Sequence, residues 1–169
     1  MMLMMLLLLS ANEGNKYLEE IPLYGNISYY REDVYKQHDY KSFYSLKEIN
    51  AVVKPEDYDM HLLGAAVFYA TNKLRAEKKQ KPLKYSASLR DAAAVHTWQM
   101  VSKNFFSHYN NKNRKLNSPE QRLALFDISQ TAIGENCDLN SMFTSDNKTY
   151  IQLAEEIVDN LYNSPEHRK

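Results

Sequence analysis

Three short segments of this chain carry side chains that can coordinate a metal ion or transfer a proton. They are residues 105–108 (Phe-Phe-Ser-His), 134–136 (Gly-Glu-Asn) and 164–168 (Ser-Pro-Glu-His-Arg). Gly134 gives the backbone conformational freedom just before the glutamate, and Pro165 restricts the backbone two residues before the second histidine. Polar groups placed beside residues that turn the chain indicate a built site rather than a random scatter of polar side chains.

The chemistry of these segments is that of a divalent metal site. His108, Glu135 and His167 offer two imidazoles and one carboxylate, which are ligand types that zinc and similar ions accept. Three protein ligands leave one coordination position open, and a water bound there would support a hydrolase with Glu135 as general base or ligand. One carboxylate can hardly fill both roles. We therefore expect a divalent cation such as zinc as the cofactor and assign no catalytic residue.

The charge composition argues against a function that depends on the net charge of the whole chain. The 169 residues carry 21 Lys plus Arg and 21 Asp plus Glu, so the formal net charge is zero. A neutral chain has no long-range attraction to nucleic acid or to anionic lipid. Residues 73–84 form a local basic run of five lysines and one arginine against Glu77. We interpret this run as the solvated end of a helix, whose C-terminal dipole favours cations, with a polyanion site as the alternative.

The start of the chain resembles a secretory signal. Residues 1–9 are wholly apolar, and the small residues Ser10 and Ala11 follow them, so residues 1–12 are predicted to form a signal-like segment. Nine apolar residues are too few for a transmembrane helix, and the predicted location is secreted or at the cell surface. Cys137 is the only cysteine, which excludes an internal disulfide. It is predicted to be a small buried residue rather than a nucleophile.

The rest of the chain divides by pattern at about residue 60. Residues 13–60 are predicted to be an extension that holds eight of the 13 tyrosines and consists of short strands, turns and at most one helical turn. These tyrosines pack the extension onto the domain or, as the alternative, form an exposed binding face. From Met60 the apolar residues recur at helical spacing. Further helices are predicted after Pro82, from Ser118-Pro119 and over residues 150–162.

The helix predicted after Pro82 carries a histidine on its apolar side. Its predicted buried face consists of Leu89, Ala92, Ala93, His96 and Met100. A histidine in such a row is more often a hydrogen-bonded core residue than a metal ligand, so His96 is left out of the predicted site.

The order of the short motifs resembles the CAP superfamily of cysteine-rich secretory, antigen 5 and pathogenesis-related proteins, in its bacterial secreted branch. The similarity extends over roughly residues 62–169 and depends on the following residues: Asn72 and Arg75 near the end of a helix, Pro82-Leu83, an alanine-rich helix with His96, Phe106-Ser107-His108, Arg122-Leu123, residues 134–136 and residues 163–168.

The resemblance implies an α+β fold, an α-β-α sandwich with a central cleft. It makes His108 the first histidine of the cleft, Glu135 the first acid and His167 the second histidine. The second acid of the animal members falls at Ser164, so a weaker, three-ligand site is expected. Family domains continue with two further strands, and this chain stops at Lys169. We therefore expect residues 61–169 to be a CAP domain that is incomplete at its C-terminus and mostly helical.

Three functions are compatible with these residues. The first, implied by the resemblance, is a secreted or cell-surface CAP protein without enzymatic activity, binding an unknown protein partner, a lipid or a divalent cation through the cleft of His108, Glu135 and His167. The second is a metal-dependent hydrolase that uses the same three residues. The third is an adhesive or structural surface protein that acts through its tyrosine-rich extension. Nucleic acid is not an expected partner.

Overall fold

The computed structural model describes four stretches of the chain, residues 13–26, 28–129, 132–139 and 146–165. They divide into two units. Unit 1 contains the described residues of 1–25 and 87–135, and unit 2 those of 26–86 and 136–169. None of the described helices combines the length and the apolarity needed to cross a membrane.

Two long helices form the centre of unit 2. Helix α4 (Met60–Glu77) begins where the Asp59 carboxylate accepts hydrogen bonds from the backbone of the first turn. Helix α7 (Tyr150–Asn163) begins at a capping box between Thr149 and Gln152. The two helices pack against each other, and Ala65, Ala66 and Ala154 on these helices are fully buried in one shared core. The sequence-based starts of both helices are confirmed.

The part of the tyrosine-rich extension in unit 2 is built from single helical turns. Helix α2 spans Asp33–Gln37, helix α3 spans Tyr40–Phe43, and 3-10 turns cover Tyr29–Arg31 and Glu48–Asn50. The prediction of short strands was therefore wrong for these residues, because a capping box at Asp39 and burial of Val34, Phe43 and Ile49 override β-propensity. Across the described ranges the β-pairing consists of one isolated bridge, Val52–Thr149.

Tyrosines hold these turns against α4. The Tyr69 hydroxyl lies 2.9 Å from the carbonyl oxygen of Val34 and 3.0 Å from that of His38, and donates to them. The Tyr69 ring stacks on Phe43 at 4.3 Å, and Tyr35 stacks on Tyr85 at 3.7 Å. The interpretation that the tyrosines serve packing is confirmed here.

Unit 1 is organised around helix α5 (Ala87–Lys103), which packs against helix α1 (Asn15–Leu18) and helix α6 (Pro119–Ala124). A 3-10 turn at Arg114–Leu116 precedes α6. Helix α6 starts at a capping box with proline in its first turn, as predicted. The backbone of Gly14 approaches so closely that a Cβ there would lie 2.5 Å from the Phe126 ring.

The buried face of α5 differs from the predicted one. Ala92, Val95, His96 and Gln99 are buried, whereas Leu89 is 49% exposed and Ala93 is also exposed. The predicted row was therefore shifted by about one position, because the neighbouring elements, and not the apolar periodicity alone, decide which side of α5 is covered.

The described residues are helical and contain no strand, so the α+β sandwich implied by the resemblance is not displayed by them. The units divide the chain after residues 25, 86 and 135. The predicted boundaries of extension and CAP domain stay predictions.

Replacing Tyr69 by phenylalanine tests whether these turns depend on one buried hydroxyl. Tyr69→Phe removes the donor to the Val34 and His38 carbonyl groups, so the free energy of unfolding should fall by about 1–3 kcal/mol. The measurement is urea unfolding followed by circular dichroism. Tyr58→Phe makes the same chemical change at an exposed ring and should alter stability by less than about 0.5 kcal/mol. Equal effects would contradict the assignment.

Candidate functional site

Two of the three predicted site residues meet in unit 1. The Nδ1 atom of His108, in the loop that follows α5, lies 2.9 Å from Oε1 of Glu135, 27 residues away. A carboxylate can only accept, so Nδ1 of His108 carries the donating hydrogen. Glu135 belongs to the irregular stretch 132–139. His167, the third predicted residue, lies outside the described residues.

A buried arginine holds this pair in place. Arg122 on α6 is 2% exposed. Its Nη2 donates to both carboxylate oxygens of Glu135, at 2.8 and 2.6 Å, and to the carbonyl oxygen of His108 at 3.1 Å. Its Nη1 donates to the carbonyl oxygens of Leu116 and Asn117. One guanidinium thus joins α6, the loop before it, the His108 loop and the Glu135 segment.

His96 lies beside the pair. It is 2% exposed, its Nε2 donates to the Ser107 carbonyl oxygen at 2.9 Å, and the same atom is 3.9 Å from Oε1 of Glu135. Its Nδ1 is buried and has no hydrogen-bond partner among the described residues. The prediction of a buried, hydrogen-bonded histidine is confirmed. What the sequence did not reveal is that this histidine faces Glu135.

Burial and charge determine the ionisation of the group. Burial alone would raise the pKa of Glu135, but the hydrogen bonds from Arg122 and His108 outweigh it and hold that pKa below its ordinary value. Burial, followed by the positive charge of Arg122, lowers the pKa of His96, against a weaker opposing effect of Glu135. At neutral pH the site therefore contains an ionised carboxylate, a guanidinium and a neutral His96.

In this arrangement Glu135 fixes the orientation of the His108 ring. With the hydrogen on Nδ1, Nε2 is the nitrogen of His108 that can coordinate a cation, and a carboxylate on the other side of the ring is the usual support for such a ligand. Both oxygens of Glu135 already accept hydrogen bonds from Arg122. Direct coordination by Glu135 would have to compete with that guanidinium.

Two further sequence-based expectations concern Gly134 and Cys137, which lie close to Glu135 in the sequence. Gly134 was expected to use the conformational freedom of glycine, but no described glycine has a positive φ and a Cβ on Gly134 would meet no atom within 4 Å. That expectation was wrong. Cys137, which was predicted to be a small buried residue, is half-buried.

Arg122 was not singled out from the sequence as a site residue. Within α6, Arg122 and its neighbour Leu123 are the buried residues. A helix of six residues is too short for an apolar period to mark one of its positions as buried, so the sequence carries no signal for this guanidinium.

Removing the guanidinium should strongly destabilise unit 1. Arg122→Met leaves the Glu135 carboxylate mostly buried without its partner, which costs about 3–5 kcal/mol. Trp98, the only tryptophan, lies on α5 and reports on unit 1 during urea unfolding. Lys115→Met breaks the exposed pair with Glu13 in the same unit and should destabilise it far less, because solvent screens that pair. A similar loss in both variants would contradict the role of Arg122.

Acid should weaken unit 1 through His96. Its folded-state pKa lies below the ordinary 6.5, so the unfolded chain binds the proton more tightly. The associated stability is present above pH 6.5 and is lost as the pH falls toward the folded-state pKa, by up to about 1.4 kcal/mol per pH unit. Urea unfolding followed by Trp98 fluorescence, repeated between pH 7 and pH 5, measures how the free energy of unfolding changes with pH. His96→Gln should flatten it, and an unchanged slope would refute the assignment.

Comparison with known proteins gives one match. The family model of the cysteine-rich secretory protein family, CAP, matches residues 68–169, more than half of the 169 residues. No curated protein and no solved structure matches the chain. The matched range contains the histidine, the glutamate and the arginine whose contacts define the site. The chain belongs to the CAP family.

Proposed function

We propose that this CAP protein is a secreted or cell-surface binding module without enzymatic activity, which takes a divalent cation, a lipid or a protein partner at the site of His108 and Glu135. The observation that carries the proposal is the hydrogen-bonded chain from Arg122 through Glu135 to Nδ1 of His108. The buried guanidinium fixes one carboxylate and one imidazole in place, and a preorganised ligand site needs such support.

The donor set suits a divalent cation such as zinc. His108 would hold it through Nε2, and the sequence-based expectation adds His167 as a second imidazole. Glu135 would fix the ring and tautomer of His108 rather than donate an oxygen. The cation would supply a positive charge for an anionic or carbonyl oxygen of the partner.

The site offers poor support for hydrolysis. A general base must accept a proton near the working pH, whereas the pKa of Glu135 is held below its ordinary value and Arg122 donates to both of its oxygens. Protonation of Glu135 would weaken that ion pair. This is why binding is proposed rather than catalysis.

The tyrosine-rich extension offers poor support for adhesion. Of its eight tyrosines, Tyr17 and Tyr24 are buried in unit 1, four more pack against the core of unit 2, and Tyr29 and Tyr58 are exposed. Two exposed rings are a small contact surface. The external location is proposed from the family and from the apolar residues 1–9.

Zinc titration by isothermal calorimetry tests the proposal. His108→Ala should abolish binding at the site, because it removes the coordinating nitrogen. Glu135→Gln should weaken binding about 10- to 100-fold without abolishing it, as expected for a residue that orients a ligand. His38→Ala changes a half-buried histidine of unit 2 and should leave the affinity unchanged.

Three results would overturn parts of this scheme. Full affinity in His108→Ala would remove the site altogether. Complete loss in Glu135→Gln, with Trp98 fluorescence showing a folded unit 1, would make Glu135 a direct ligand. Unchanged affinity in His167→Ala would exclude the second imidazole while leaving His108 in place.

A further inference from the structure

An exposed basic loop follows α4 in unit 2. Every residue from 78 to 84 is exposed, and this basic loop contains Lys78, Lys79, Lys81 and Lys84 together with Leu83, which is 46% exposed. Lys78 stacks over the Tyr162 ring at 4.9 Å. Among the described residues, the other three lysines form no ion pair. The loop therefore concentrates uncompensated positive charge around an apolar side chain.

The backbone of the basic loop is fixed where it leaves the helix. The Lys79 N–H donates to the carbonyl oxygen of Ala76, and the Gln80 N–H donates to that of Arg75 at 2.7 Å. These two bonds define a Schellman motif. Lys79 occupies its left-handed position with a φ of 56°, where helices ordinarily place glycine. A lysine is thus kept at a position that favours glycine.

The middle and the end of the basic loop are fixed as well. Asn72, which is buried, accepts the Leu83 N–H at 2.7 Å and donates to the Leu83 carbonyl oxygen at 3.2 Å. Arg75 donates to the carbonyl oxygen of Lys81 at 2.7 Å. Beyond the loop, Tyr85 donates to the Arg31 carbonyl oxygen and stacks on Tyr35. The lysines and Leu83 are therefore displayed from a preorganised backbone.

The helix dipole of α4 explains the position of only some of these cationic side chains. It favours cations within the last turn of the helix, which covers Arg75 and Lys78. Lys81 and Lys84 lie beyond that turn. Nor does the zero net charge of the chain oppose a local role, because the field of a surface patch acts within a Debye length of about 8 Å.

We propose that the basic loop docks the protein on an anionic lipid surface. Lys79, Lys81 and Lys84 contact the phosphate groups, and Leu83 enters the interfacial layer between them. Charge complementarity selects an anionic partner, and an exposed leucine among lysines fits a lipid interface better than a soluble polyanion. This role is separate from the cation site of unit 1.

The test is partitioning of the full chain onto vesicles of phosphatidylcholine, with and without about one third phosphatidylglycerol. The measured quantity is the ratio of the two partition coefficients. Residues 1–9 carry no charged side chain and can add affinity for both vesicles, so the ratio isolates the electrostatic part. The wild-type ratio should exceed one and should fall as ionic strength rises above about 0.15 M.

Each lysine neutralised should lower the ratio about fivefold. Lys79→Gly is the sharpest single variant, because it removes a charge and places glycine at a left-handed position, so lost binding cannot be ascribed to misfolding. Lys81→Gln with Lys84→Gln should reduce the ratio further. Leu83→Ser should lower the affinity for anionic vesicles several-fold.

The matched control is a triple change of Lys41, Lys47 and Lys54 to Gln, three exposed lysines of the same unit. It removes as much charge as the loop variants together and should leave the ratio within about twofold of wild type. An equal drop in the control would overturn the proposal, as would a wild-type ratio of one. Unchanged vesicle affinity in Leu83→Ser, with equally tight binding to heparin, would reject the lipid surface in favour of a soluble polyanion.

Discussion

The ion pair between Arg122 and Glu135 is the interaction on which unit 1 depends. A guanidinium that is 2% exposed has lost nearly all its hydration, and hydrogen bonds to protein acceptors must offset that loss. The two terminal nitrogens of Arg122 donate to one carboxylate and three backbone carbonyl oxygens. Its acceptors come from three separate stretches of chain, so the loops around the site have little freedom to move independently.

The same ion pair limits the chemistry of the site. A carboxylate held between a guanidinium and an imidazole stays ionised, accepts hydrogen bonds and is a weak proton acceptor. The hydrogen it accepts from Nδ1 of His108 directs the other ring nitrogen to any ligand. The site is thereby suited to holding a cation or a polar group, which is the reason for proposing a binding function.

Unit 2 depends on helix packing and on aromatic contacts. Its two long helices share one hydrophobic core, and the short helical turns before α4 have too few residues to be stable alone. Buried aromatic rings and the Tyr69 hydroxyl attach those turns to the helix. The same strategy fixes the basic loop, where buried Asn72 holds the backbone of Leu83 while the lysines point to solvent. In both places a buried polar group determines the path of a segment that lacks regular structure.

The sequence by itself determined the starts of the long helices and the family. Capping residues and apolar periodicity act over three or four positions, so the cap at Ser118 and the helix starts at Met60 and Tyr150 could be predicted without a structure. Only the tertiary structure decided that Arg122 joins His108 to Glu135, that His96 faces the same carboxylate, that Leu89 is exposed and that the extension forms helical turns rather than strands. These outcomes depend on contacts between segments far apart in the chain, and burial of a charge or an aromatic ring in such contacts outweighs local preference.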